Sequence, residues 1–187
     1  MADGKDTGEW TTMRADIRHL GDPGTADFQV RKYPFYLLNR LVSRYNSIIE
    51  TRLRKIDLDV PFWRVLMILG EKAPRGVGDI SEAAVINLST MTRIVQRMVR
   101  KQLVRCTPRD DDYRITDVFL TALGKKKLAA ARKITAPIFA AAIGGFSQRE
   151  FSDTIEALDK LYTNLGPLLR QAGKPKAVRR NRAARQS

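Results

Sequence analysis

Residues 87–101 carry two stripes that only a helix keeps apart. Met91, Ile94, Val95 and Met98 recur at spacings of three and four and so share one face. Arg93, Arg97 and Arg100 recur in the same way on the opposite face, with Ser89, Thr90, Thr92 and Gln96 beside them. Asn87 is placed to cap this helix, because its short side chain can accept from backbone N–H groups two or three residues on. Taken alone, such a stretch is either a solvated basic helix or a face built to enter a DNA groove.

The residues downstream of this helix narrow the choice. Two β-like runs, residues 103–107 and 115–120, flank a polar loop of Arg109, Asp110, Asp111, Asp112, Tyr113 and Arg114, which reads as a hairpin. A shorter helix over residues 79–85 precedes the striped one. Helix, helix, hairpin is the order of a winged helix-turn-helix. There the second helix reads the major groove, and an arginine at the hairpin tip can reach an adjacent minor groove.

With these residues in place, the chain resembles the MarR family of bacterial transcription regulators. The resemblance is carried by Ser89-Thr90-Met91-Thr92-Arg93-Ile94-Val95, by Asp112 and Arg114 in an Asp-x-Arg arrangement, and by Leu120-Thr121-Ala122-Leu123-Gly124 just downstream; it covers roughly residues 31–170. It implies a mainly α fold with a small β wing, a DNA-binding lobe over about 60–122, and dimerisation by N- and C-terminal helices. It also implies roles. Ser89, Thr90 and Arg93 match positions at which family members contact the operator, and Asp112 helps to orient the wing arginine, Arg114. Thr92, Arg97 and Arg100 complete the expected DNA-binding set, the two arginines as phosphate contacts or wing partners. One departure is Gln102, where the family usually has a glycine that stops the recognition helix in a left-handed conformation without strain.

Charge and composition agree with a nucleic-acid partner. The chain has 187 residues and 43% apolar content, enough for one globular domain with a core. Its net charge of +14 is uneven: −3 over residues 1–30, +11 over 31–170 and +6 over 171–187. A basic body of this size favours a polyanion, and phosphate neutralisation supplies sequence-independent affinity for DNA. On charge alone, RNA and an anionic membrane surface are open as well. No run of about 18 apolar residues occurs and the polar amino terminus lacks a signal-peptide core, so a cytoplasmic protein with no membrane partner is expected. The single cysteine, Cys106, fits a reducing compartment and reads as a small buried hydrophobe in a wing strand.

Residues 1–30 read as an extension with at most a short helix over 13–20, and 171–187 as a basic disordered tail. From Pro34 an apolar stripe of Leu37, Leu38, Leu41, Val42, Tyr45, Ile48, Ile49 and Leu53 predicts a long first helix. Pro61 suits the first turn of a second, with Phe62, Val65, Leu66, Ile68 and Leu69 inward, and the stretch 72–76 reads as a break. A helix over residues 121–142 should kink at Pro137 and end at Gly144 and Gly145. Ser147-Gln148-Arg149-Glu150 is a capping box, with Phe146 and Phe151 at the two staple positions, and announces the last helix.

Enzymatic chemistry finds little support. The one histidine, His19, lies in the extension, and no phosphate-binding glycine loop occurs, so no cofactor is expected. The aspartates of the wing loop are expected to pair with Arg109 and Arg114 rather than with a metal. Many members of the family answer to small aromatic anions bound between the dimer helices and the DNA-binding lobe. Here the bordering residues would be Tyr36, Asn39, Arg40, Ser43, Arg44, Trp63 and Met67. Arg40 and Arg44 share a helical face and could meet a carboxylate or phosphate, or could be surface charge with Trp63 and Met67 in the core. The expected protein is therefore a homodimeric repressor on palindromic double-stranded DNA, released by a small anionic aromatic effector or an acyl-CoA thioester. The alternative is a ligand-independent nucleic-acid binder, architectural or RNA-binding.

Overall fold

A computed structural model of the chain describes residues 15–172; the expected basic tail beyond them and the first 14 residues of the extension lie outside. Nine regular elements run in the order α1 (Pro34–Leu53), α2 (Val60–Glu71), β1 (Arg75–Gly76), α3 (Val77–Ala84), α4 (Leu88–Arg100), β2 (Val104–Pro108), β3 (Thr116–Leu120), α5 (Ala122–Ala142) and α6 (Gln148–Ala172). The chain divides into two compact units, residues 1–136 and 137–187.

In the first unit the end of the extension is more ordered than expected. Two 3-10 turns, Arg18–Gly21 and Val30–Lys32, are tied by the Gln29 N–H donating to the Leu20 carbonyl at 2.8 Å. Phe28, Tyr33 and Phe35 stack edge to face at 5.7 and 5.4 Å, which seats this segment at the start of α1. Pro34 opens α1, where a missing N–H costs nothing. Of the long apolar stripe on α1 only Ile49 and Leu53 are buried, while Leu37, Leu41, Val42 and Ile48 face solvent.

Asp59 caps α2, its Oδ1 accepting from the Phe62 N–H at 2.8 Å, and Phe62, Val65, Leu66 and Leu69 turn into the core. They meet Ile80 of α3, Met91 and Met98 of α4, and Val118 of β3, all fully buried. A three-stranded antiparallel sheet, ordered β1-β3-β2, closes this core. Its register pairs Arg75 with Val118 and Gly76 with Asp117 on one side of β3, and Val104 with Leu120 and Cys106 with Val118 on the other. The break expected over 72–76 therefore ends in a strand. Two residues are too few to show a period, and β1 exists because the free edge of β3 needs a partner.

Both helices of the helix-turn-helix end in left-handed residues. The Val85 N–H donates to the Glu82 carbonyl and the Ile86 N–H to the Ser81 carbonyl, with Val85 at φ 54°. The end of α4 repeats the pattern: Gln102 at φ 58° donates to Val99, and Leu103 to Met98. This is the paired bonding of a Schellman stop, closed by the buried Leu103 and Met98. Gln102 thus takes the conformation that a glycine would take more cheaply.

The second unit holds the end of α5 and all of α6. Pro137 lies inside α5, and Gly145 at φ 86° makes the turn after it. Ser147 and Glu150 form the expected box, with the Ser147 N–H donating to Glu150 at 2.9 Å and the Glu150 N–H to Ser147 Oγ at 3.2 Å. Phe151 packs edge-on against Phe139 at 6.2 Å. Along α6, Ile155, Leu158, Tyr162, Leu165, Leu168 and Leu169 are exposed.

Candidate nucleic-acid interface

The amino-terminal end of α4 is built by its own side chains. Asn87 Oδ1 accepts from the Thr90 N–H at 2.8 Å and from the Ser89 hydroxyl at 3.0 Å, satisfying a helix-end donor. Ser89, expected on DNA, therefore already commits its proton to the cap, and the Thr92 hydroxyl donates back to the Leu88 carbonyl at 2.9 Å. With Met91, Ile94, Val95 and Met98 buried, Thr90, Arg93, Gln96, Arg97 and Arg100 are left on the solvent face.

Those arginines do not behave alike. Arg93 and Arg100 make no ion pair or hydrogen bond among the described residues, whereas Arg97 turns to the start of α2. Its Nη2 lies 3.5 Å from Asp59 Oδ2 and its guanidinium sits 5.0 Å over the Phe62 ring. Of the two roles expected for Arg97, phosphate contact or wing partner, the wing is excluded as its partner here: its partners belong to α2.

Across from α4, the wing presents Arg114 with its side chain 90% exposed. Arg114 Nε and Nη2 donate to the two oxygens of Asp112 at 2.9 and 3.0 Å, and its backbone N–H donates to Oδ1 at 3.1 Å. These bonds hold the Asp112 carboxyl below the usual carboxylate range and fix the guanidinium at the hairpin tip. Between wing and helix lies a cleft of about 770 Å³, bordered by Thr92, Gln96, Arg100 and Arg114, with Leu88, Val95 and Val99 below. Cys106 also borders this cleft, half-buried where a buried hydrophobe is expected, and burial pushes its thiol up.

Arg109 departs from expectation. It pairs not with the neighbouring aspartates but with Asp117 of β3, its Nη2 donating at 2.7 Å and its Nε at 3.2 Å. Asp117 is 8% exposed, and the pairing holds its carboxyl below the usual range. A carboxylate in the middle of an apolar strand was the available signal, since a buried acid needs a cation.

Among the described residues, five of the seven expected effector residues share one groove. Tyr36, Asn39, Arg40, Ser43 and Arg44 line a shallow groove of about 600 Å³ along one side of α1. Trp63 and Met67 do not border it. Trp63 packs on Tyr45 at 6.2 Å, and Tyr45 occupies the other side of α1 by helical geometry. The stripe of α1 that meets α2 is thus not the stripe that carries the arginines. Within the groove Arg40 stacks over the Tyr36 ring at 5.5 Å. Among the described residues, the buried polar atoms Asn46 Oδ1 and Trp63 Nε1 have no hydrogen-bond partner. Among the described residues no cluster of His, Cys, Asp and Glu is arranged to hold a metal, and no helix is long and apolar enough to cross a membrane.

The geometry has counterparts among known proteins. The model of the MarR family matches residues 58–116, the stretch from the start of α2 into β3. The HTH-type transcriptional repressor IacR of Pseudomonas putida is 34% identical over 168 residues, covering 90% of this chain and all of that protein. A MarR family transcriptional regulator from Silicibacter pomeroyi superposes with a TM-score of 0.69 at 27% identity, over 79% of this chain and 96% of the other. BpsR of Bordetella bronchiseptica, whose DNA binding is regulated by 6-hydroxynicotinic acid, shares the fold with a TM-score of 0.64 at 20% identity, over 72% and 96% of the two chains. With a full-length repressor at this identity, and with the helix-turn-helix and wing in the same order, the chain belongs to the MarR family of transcriptional regulators.

Proposed function

We propose that the chain is a homodimeric repressor that reads a palindromic operator through α4 and the wing. The observation that carries this reading is Arg100 and Arg114 on the two sides of one cleft, with Arg93 exposed on the same helix α4. Arg93 and Arg100 lack any partner among the described residues, and Arg114 is aimed outward by its own aspartate. Exposed guanidiniums along such a helix and wing suit phosphates and guanine edges. Arg93, free and near the start of the helix, is the base-reading candidate. Thr90, Thr92 and Arg100 serve neighbouring bases and phosphates. Exposed apolar faces on α1 in the first unit and on α6 in the second supply what a second copy would cover.

The released state is assigned to a small aromatic acid. Arg40 and Arg44 lie four residues apart in the α1 groove without an ion-pair partner among the described residues, beside the ring of Tyr36. The response of BpsR to 6-hydroxynicotinic acid supports an aromatic carboxylate over other anions.

Selection from a random duplex pool tests the reading and should return a two-fold symmetric site. Arg93→Ala should then lose about 1–3 kcal/mol on that site and almost nothing on random DNA. Removing residues 174–187 should weaken all duplexes alike and flatten the salt dependence. A panel of aryl carboxylates, titrated against operator binding in wild type and Arg40→Ala, tests the effector. A ligand that favours neither arrangement of the DNA-binding lobe shifts nothing. A pool with no symmetric enrichment would replace this reading by a ligand-independent nucleic-acid binder.

A further inference from the structure

The proposed DNA-reading surface has two parts, α4 and the wing, and something must set the wing relative to the helices. Hairpin loops of this length flex unless a side chain braces them. Among the described residues, Arg109 is the one cation of the wing with an ion-pair contact outside it, to Asp79 of α3. Its backbone N–H donates to the Ile115 carbonyl at 2.9 Å, closing the hairpin loop. Its guanidinium then makes a two-pronged contact with Asp117, on the strand central to the sheet, and its Nη2 lies 4.0 Å from Asp79 Oδ2.

Asp79 belongs to the first turn of α3, where its Oδ2 accepts from the Gly76 N–H at 3.2 Å. Gly76 is in turn the β1 residue that pairs with Asp117. A Cβ at Gly76 would stand 3.1 Å from Ile115 Cγ2 and 3.5 Å from Arg109 Nη2, so a small residue there is what lets hairpin, sheet and helix start converge. One planar cation therefore bonds the central strand from the hairpin loop and lies within ion-pair distance, 4.0 Å, of the start of the helix-turn-helix. A lysine could meet one carboxylate but not both with fixed geometry.

We propose that Arg109 is a positioning residue for operator reading: by joining Asp117 and Asp79 it sets how the hairpin presents Arg114 to DNA. This rests on the reading of Arg114 as the minor-groove contact. The bond to Arg109 also keeps Asp117 ionised to lower pH than an ordinary aspartate, so the brace is intact at neutral pH.

The experiment is a double-mutant cycle on full-length protein, with Arg109→Gln, Arg114→Ala and the pair. Each is measured on the selected operator with A-T-rich and with G-C-rich flanks, and on a duplex with altered half-sites. In wild type the A-T-flanked site should be preferred by about tenfold, since a narrow minor groove concentrates potential on an inserted guanidinium. Arg109→Gln should reduce that ratio to about the value shown by Arg114→Ala, and the pair should be no worse than Arg114→Ala alone. Preference between intact and altered half-sites should stay within about twofold of wild type, because α4 is untouched. Arg109→Lys should restore the ratio only in part.

Should Arg109→Gln fold poorly, Asp79→Asn weakens the same brace from α3 and should lower the flank ratio in the same direction. An unchanged flank ratio in Arg109→Gln, or additive losses in the pair, overturns the positioning role while leaving Arg114 on DNA. If Arg114→Ala itself matches wild type on both flanks, the minor-groove reading fails and takes the proposal with it.

Discussion

Arg97 on the recognition helix α4 reaches back to Asp59, the cap of α2, at 3.5 Å while its guanidinium lies over Phe62. One side chain thereby joins the start of α2 to the last turn of the helix expected to lie in the groove. The contact is half exposed, so its energy is modest: about 0.5–1.5 kcal/mol for ion pair and stacking together. Arg97→Ala should lower stability by that amount in urea unfolding, whereas Arg93→Ala should change it by less than about 0.5 kcal/mol. Equal stabilities for the two variants would mean that the α2 contact contributes nothing.

Val85 holds a left-handed conformation at φ 54° with its β-branched side chain 83% exposed. Such a residue forfeits roughly 1–2 kcal/mol against glycine's free access to that region, and burial returns almost nothing. Val85→Gly should raise stability by about 0.5–1 kcal/mol after the extra entropy of glycine in the unfolded chain is subtracted. Gln102→Gly should do the same at the end of α4. Thermal midpoints of the two single variants check this, and a fall in either midpoint would show that its backbone is not strained.

The Leu-Thr-x-x-Gly element behaves as a latch. Thr121 Oγ1 donates to the Gln102 carbonyl at 2.6 Å and accepts from the Gly124 N–H at 2.9 Å, while the Thr121 N–H donates to the Leu103 carbonyl at 3.1 Å. A Cβ on Gly124 would collide with the Leu103 carbonyl oxygen, a backbone atom that cannot rotate away. Gly124→Ala should therefore cost more than about 2 kcal/mol, and Thr121→Val about 1 kcal/mol. Denaturant midpoints that place Thr121→Val below Gly124→Ala would contradict this ranking.

The Arg109–Asp117 pair makes a pH prediction with a definite sign. Arg109 holds Asp117 below the usual carboxylate range, so the folded value is depressed relative to the unfolded one. Its contribution to stability is complete above the unfolded value of about 4 and is lost as pH falls through the lower folded value. Wild type should thus exceed Asp117→Asn in thermal midpoint at pH 7, and the gap should shrink once the pH drops below about 4. A gap that widened with acid would reverse the assigned direction.

What could be read in advance was what local chemistry dictates. Asn87, Pro61 and the Ser147–Glu150 box mark helix starts by interactions spanning three residues or fewer, and the alternation of apolar and basic positions orients α4 unaided. The strand β1 escaped notice because Arg75 and Gly76 carry no period of their own and are extended only by pairing with Val118 and Asp117, some forty residues on. Nearness in sequence points Arg109 to Asp110 and Asp111, but inside a hairpin register decides which side chains meet, and it brings Asp117. The effector residues separated for a similar reason. Periodicity ranks the faces of α1 but does not say that Tyr45, rather than Arg40 or Arg44, turns to Trp63.

The pairing of β1 with β3 closes the chain from Arg75 to Val118 into a loop that contains α3, α4 and the whole hairpin. An element with both ends clamped in the same sheet cannot fray independently of it. Amide protons of α4 should therefore exchange with deuterium together with those of β3, through a single cooperative opening, and not by melting of a recognition helix alone. Under the dimeric, effector-responsive function proposed above, such a lobe moves as one body, and the separation between two lobes, more than the shape of either, is the quantity that an effector would tune.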